Sequence, residues 1–302
     1  MNHIHKEHNK TWTISLRNMR SFRKTIFVSI LIVFLFAGCE PRSFNEQRAY
    51  GYIATQLSFG HRIPGTVSSR KTLHYLNNEL LKLGWETEIQ EFEHKDVQLT
   101  NLIAKNSPAP PAIILGTHYD TRTFSDRDPD EEKIATPVPG ANDGASGTAV
   151  LLELAHNLLN NDQSIWIVFF DAEDQGNING WDWSVGSQYF ADRLSHQPEK
   201  AIIIDMIGDT DLNIYYEGNS SDELAKNIWD IAEKLGYGDS FIKETKYSVI
   251  DDHLPLLNNG IPTTLIIDLD YEKWHTTQDN LDHVSADSLK KVGSVLLTFL
   301  ND

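Results

Sequence analysis

Four short runs of apolar residues punctuate the chain: Ala112–Leu115, Ile165–Phe170, Ala201–Ile204 and Leu265–Ile267. No charged residue interrupts them, as expected for strands buried on both faces of a sheet. Between and after them lie stretches with helical periodicity: Gly144–Leu159, Gly186–Leu194, Ser221–Leu235 and Ala286–Leu300. Trp229 falls on the apolar face of the third and reads as core. Two earlier segments, Thr87–Phe92 and Gln98–Ala104, alternate like half-exposed strands. Upstream, Ala49–Phe59 reads as a helix that Gly60–Gly65, with Pro64, brings to an end. Ser68 or Ser69 then caps a helix to Leu83, with Leu73, Leu76, Leu80 and Leu81 on one face. Strands alternating with helices predict one α/β domain over residues 49–302, with a mixed, mostly parallel sheet flanked by helices.

Each apolar run leads into residues that bind metals or move protons. Leu115 precedes Gly116-Thr-His118-Tyr-Asp120, and Phe170 precedes Asp171-Ala-Glu173-Asp174. Ile204 precedes Asp205; Ile267 precedes Asp268 and then Trp274-His275. Open α/β sheets bind ligands beyond the carboxyl ends of their strands. Zinc takes imidazole nitrogen and carboxylate oxygen, and a catalytic site keeps one position open. The candidates are therefore His118, Asp120, Asp143, Glu173, Asp174, Asp205 and His275. Each has an ordinary reading alone: Asp143 before Gly144 would cap a helix, and a lone histidine bonds structurally. Their recurrence at successive strand ends points to a metal site.

The segments Gly116–Asp120, Pro139-Gly-Ala-Asn-Asp143-Gly-Ala-Ser-Gly147, Phe170–Asp174, Asp205-Met-Ile-Gly208 and His275 resemble, in order, those of the M28 zinc aminopeptidases. The resemblance covers roughly residues 50–300. It implies a zinc aminopeptidase-like fold, a two-metal set at His118, Asp143, Asp174, Asp205 and His275, and Glu173 as general base. Within that group, Asp251-Asp252-His253-Leu-Pro255, Trp274-His275-Thr276 and the stretch Asp120–Asp130 resemble the animal-like glutaminyl cyclases of bacteria. That closer resemblance implies a single zinc held by Asp143, Asp174 and His275, with His118 left as a possible ligand of a second metal. Asp174 stands where many relatives carry Glu. Glu173 would handle the proton, with Asp205 and Asp251 as hydrogen-bonded partners, and Trp274 would border the substrate pocket.

The implied activity is conversion of the N-terminal Gln of a peptide or protein to pyroglutamate, with release of ammonia. Two-metal hydrolysis of the first peptide bond is the alternative, and a non-catalytic binding lipoprotein is a third reading. Asp251 admits another role as the cap of a helix starting near His253. Trp181 and Trp183, in the Gly-containing loop after Glu173-Asp174, read either as further pocket walls or as loop packing.

The first 38 residues stand apart from this pattern. A basic segment precedes Thr25–Phe36, a run of 12 residues almost without polar groups. That is short for a membrane span and of the length of a signal-peptide core. Phe36-Ala37-Gly38-Cys39 resembles a bacterial lipobox, with Phe36 where Leu is usual. Residues 1–38 then read as a lipoprotein signal peptide, Cys39 as the lipidated N-terminus and residues 39–48 as a tether. The resulting expectation is a lipid-anchored protein of the bacterial cell envelope, facing the periplasm or the exterior. Cys39 is the only cysteine, so no disulfide supports the fold. The net charge of −17 falls to near −22 without the six basic residues and one acid of the leader. Such a surface repels nucleic acid, which is excluded as a partner.

Overall fold

The computed structural model describes residues 43–302. The basic leader, its apolar run and Cys39 lie outside the described residues. Among the described residues, no helix is long and apolar enough to cross a membrane.

The first helix, α1 (Glu46–Ser58), begins three residues before its predicted start. Asn45 caps it, its side chain accepting from Arg48 N at 2.9 Å. Phe44 is buried, and its ring lies where a Cβ on Gly293 would stand. The segment 44–48, expected to be tether, therefore belongs to the fold. Its polar letters concealed this because they serve a buried acid. Glu153 accepts from Asn45 N at 3.0 Å and from Arg48 Nε and Nη2 at 2.5 and 2.7 Å. In α2 (Val67–Leu83) the cap is Thr66 rather than either serine. Leu76 and Leu80 are buried, whereas Leu81 is half exposed and faces away from them.

A hairpin follows, β1 (Glu86–His94) and β2 (Val97–Lys105), closed by Lys95 and Asp96 with both φ positive. The remaining elements are β3 (Ile113–His118), α3 (Ala145–Leu158), β4 (Ile165–Phe170), α4 (Val185–Ala191), β5 (Lys200–Asp205), β6 (Ile214–Glu217), α5 (Asp222–Lys234), β7 (Phe241–Tyr247), α6 (His253–Asn258), β8 (Thr263–Ile267) and α7 (Ala286–Phe299). Six strands form one sheet in the order β1-β2-β4-β3-β5-β8. β1 and β2 are antiparallel additions, while β4, β3, β5 and β8 run parallel. The chain leaves β3 for β4 on one side and then crosses to β5 on the other. That reversal places a ligand crevice at the carboxyl end of β3.

The apolar runs divide by residue parity. Ile113, Leu115, Ile165, Ile167, Phe169, Ile202 and Ile204 join the core beneath α1, α3, α5 and α7. Ile114, Val168, Phe170, Ala201 and Ile203 join the opposite core, with residues of α4 and α6. Helix α3 lies directly on the sheet: a Cβ on Gly147 would come within 2.1 Å of Thr117 Oγ1. β6 and β7 form a separate parallel pair, which the sequence pattern did not disclose.

Candidate active site

The parallel strands deliver their last residues to one place. His118 and Asp205 end β3 and β5. Glu173 and Asp174 follow β4, His275 follows β8, and Asp143 lies just before α3. The loops that carry them are bent sharply. Ala172, Met206 and His275, none of them glycine, have φ of 58, 47 and 59°. Backbone strain of this kind persists where packing over-determines it, as at functional sites. Gly144 (φ 89°) allows the closest approach, since a Cβ there would meet Asp120 O at 2.7 Å and the His118 ring at 3.2 Å.

Two donor groups result, His118–Asp143–Asp205 and Asp143–Asp174–His275, each with all its ligand atoms within 4.8 Å of one another. Asp143 is common to both. His118 Nε2 lies 3.2 Å from Asp143 Oδ1 and 3.0 Å from Asp205 Oδ1. His275 Nε2 lies 3.0 Å from Asp174 Oδ1 and 3.8 Å from Asp143 Oδ2. All five side chains are buried. Yet Asp143 Oδ2, both Asp174 oxygens and His118 Nδ1 have no hydrogen-bond partner of proper geometry. Buried carboxylate oxygens so left are costly unless a cation lies among them. The donor set therefore fits a divalent metal such as zinc.

The protonation tendencies agree. Burial pushes Asp174 up to about 6, with the neighbouring Asp143 charge adding to it. Burial works against the His275 imidazolium, but Asp174 and Asp126 outweigh it and raise the ring to about 9. His275 Nδ1 faces Asp126 at 3.2 Å. A proton held there leaves Nε2 free to ligate.

A second set of acids adjoins the donors. Glu173 is buried, its Oε1 accepting from Ser184 Oγ at 3.3 Å. Burial raises its pKa well above the usual carboxylate range, and the Asp251 charge adds to the rise. Asp251 is pushed up to about 7 by burial and then by Asp205. Asp252 stands at the N-cap position of α6 but its side chain makes no capping hydrogen bond, whereas Asp251 Oδ1 accepts from Asp252 N at 2.5 Å. A cavity of about 250 Å³ opens over Asp143, Glu173, Asp174, Asp205 and His275, walled by Trp183, Trp274, Val249, Ile250, Ile267 and Leu269. The Trp274 and Trp183 rings flank His275 at 4.4 and 6.2 Å between centroids. Trp181 is not among the lining residues. Its loop turns back through the bond from Asn177 N to Trp181 O, and the ring packs edge-on against His94.

Several further residues position the site without belonging to either donor group. Asp120, a candidate donor, belongs to neither group. Its carboxylate accepts from Glu173 N at 3.0 Å, Asp174 N at 3.3 Å and Gln175 Nε2 at 3.2 Å, fixing the turn that presents the acids. Asp279 does the same below Asp143, accepting from Asn142 N, Asp143 N and the Tyr271 hydroxyl. Arg62, fully buried, donates to the carbonyls of Tyr119, Pro139, Gly140 and Asp143. Arg122 bonds Asp126 and the carbonyls of Asp174 and Gly176, and it lies over the Trp183 ring. Asp126 and Arg122 fall within the stretch that resembled the cyclases, which was the available signal for them. Asp279 and Arg62 carried none.

The sequence pattern of Peptidase family M28 matches residues 101–300. Aminopeptidase YwaD of Bacillus subtilis is 29% identical over 211 residues, covering 64% of this chain but only 41% of its own length. The glutaminyl-peptide cyclotransferase of Dictyostelium discoideum is 24% identical over 301 residues, covering 78% of this chain and 80% of its own. The crystal structure of Bacteroides thetaiotaomicron glutaminyl cyclase bound to N-acetylhistamine superposes with a TM-score of 0.82 at 33% identity. That match covers 86% of this chain and 99% of that one.

Proposed function

The chain belongs to Peptidase family M28, and from that premise we propose that it is a glutaminyl cyclase, converting the N-terminal Gln of peptides or proteins to pyroglutamate with release of ammonia. The observation that carries the reading is the buried Glu173, set beside the Asp143–Asp174–His275 group in a cavity walled by Trp183 and Trp274, with Asp251 near enough to raise its proton affinity.

Asp143, Asp174 and His275 would hold a zinc ion, which when bound supplies Lewis-acid polarisation of the side-chain amide carbonyl. The substrate's own α-amine attacks the carbon of that amide, and the new C–N bond closes a five-membered ring. Glu173 takes the amine proton and delivers it to the departing amide nitrogen. The old C–N bond breaks, ammonia leaves and Glu173 returns to its starting state. Burial and the Asp251 charge raise its proton affinity, which suits a group that must hold a proton between two transfers. Asp251 acts on that affinity directly, and Asp205 acts on Asp251 in turn. Trp274 and Trp183 hold the aliphatic stem of the substrate, and orientation counts for much because the attack is intramolecular.

The second donor group, His118–Asp143–Asp205, favours one other reading, a two-metal aminopeptidase in which Glu173 takes its proton from water. Ammonia release from a Gln-peptide, amino-acid release from an unblocked peptide and metal content decide between them. Ammonia with one tight zinc per chain is the expected result. Free amino acids with two tight ions per chain would overturn the cyclase.

The run that ends at Ala37-Gly38-Cys39 supports a lipid anchor on Cys39 and a place in the bacterial cell envelope, facing periplasm or exterior. Cys39→Ser should abolish lipid labelling and free the protein from membranes. Unchanged labelling and fractionation would refute the anchor.

A further inference from the structure

Trp183 lines two cavities. One holds the donor groups; the other, of about 340 Å³, has Trp183, Phe92, His94 and Tyr189 in its walls. Phe92 and Tyr189 stack with centroids 4.2 Å apart. His94 Nε2 is buried there without a hydrogen-bond partner. Three acids, Glu93, Asp182 and Asp192, border this cavity against one base, Arg193. The Arg193 guanidinium lies 3.5 Å from the Tyr189 ring centroid and forms no ion pair among the described residues. Glu93 and Asp182 are likewise exposed and unpaired.

We infer that this second cavity receives the substrate peptide beyond its reacting first residue, and that it favours lysine or arginine there. The inference rests on the cyclase reading for the identity of the first residue. A substrate whose first residue fills the donor cavity must leave along a wall, and Trp183 is the wall that the two cavities share. Long basic side chains lay their stems along aromatic rings, as Arg193 does on the face of Tyr189 opposite Phe92, and Trp183 is the ring that such a side chain would meet on leaving the first cavity. The surplus of acid at the rim supplies the matching charge and disfavours an acidic residue.

The test is kcat/KM for ammonia release from Gln-peptides of one length, with Lys, Ala or Glu walked from the second position to the fifth. The parent should prefer Lys to Glu at one or more positions by about three- to tenfold, the scale of one or two exposed ion pairs. The ratio should shrink as salt is raised and in an Asp182→Asn/Asp192→Asn variant whose melting temperature shows it to be folded. Equal rates for Lys, Ala and Glu at every position, or a preference that the variant keeps in full, would overturn the inference. Absence of ammonia from every peptide would instead remove the cyclase reading. Peptides of the same series with a residue other than Gln in first place, scored for release of that residue, would then read the cavity's preference independently.

Discussion

Glu173 and Asp174 are neighbours in sequence and differ in task because one turn points them differently. Asp174 places a carboxylate oxygen in the donor group, 3.0 Å from His275 Nε2, whereas Glu173 faces Ser184 and the field of Asp251. Glu173→Gln preserves size and removes the titratable proton. It should retain metal while losing about 100- to 10,000-fold in ammonia release, the usual cost of losing general acid–base catalysis. Rates and metal content measured together check this. Near-parental turnover would remove Glu173 from the proton path, and joint loss of metal and activity would make it a ligand. The donors and Glu173 were legible because all but Asp143 follow an apolar run, and Asp143 sits in the motif Pro139–Gly147 of the same ordered set. Asp120 was legible only as a candidate, since the sequence does not say whether a strand-end acid meets a metal or backbone N–H groups. Asp279 and Arg62 act through main-chain atoms of segments far away in sequence, so no local pattern marks them.

At the scale of elements, the buried strands were readable because a continuous apolar run has few other uses, and the structure adds only which residue faces which core. β6 and β7 were missed for the opposite reason. Tyr215 and Tyr216 are half exposed, and Lys243 to Lys246 lies on the surface, so neither strand shows alternation or a long apolar run. The start of α1 was misplaced because capping and a buried acid, rather than hydrophobic residues, hold it. A chain beginning at Ala49 loses Phe44, the Asn45 cap and the Arg48 partner of Glu153. Removing a buried Phe side chain alone costs about 3 kcal/mol or more. Relative to a chain beginning at Ser43, the shorter one should melt lower by about 6–12 °C for a domain of this size. Calorimetry on the two decides it, and equal midpoints would restore residues 43–48 to the tether.

Across the whole molecule, buried acids set the response to pH. Asp268 is fully buried, accepting from Asn213 N at 2.8 Å and Asp270 N at 3.0 Å, and burial pushes it up to about 7. Unfolded aspartate titrates near 3.9. Because the folded value is the higher, its stabilising contribution is complete below the unfolded value and is lost as pH rises toward 7. The slope for one proton is at most about 1.4 kcal/mol per pH unit. The melting temperature of the parent should therefore fall more steeply between pH 5 and pH 7 than that of Asp268→Asn, and coincident slopes would refute this. Slope is the telling readout, since the amide also loses one acceptor and lowers stability at every pH. A different consequence follows from the spread of the donors from His118 to His275. No fragment that lacks β8 and its following loop contains a complete Asp143–Asp174–His275 group, and none that lacks β3 contains the other. Contacts of such long range slow folding, because the chain must close long loops before it gains them. The two groups therefore differ in reach: His118–Asp143–Asp205 is complete once β3, β5 and the start of α3 have met, whereas Asp143–Asp174–His275 also needs the loop after β8, so truncation there separates one set of donors from the other.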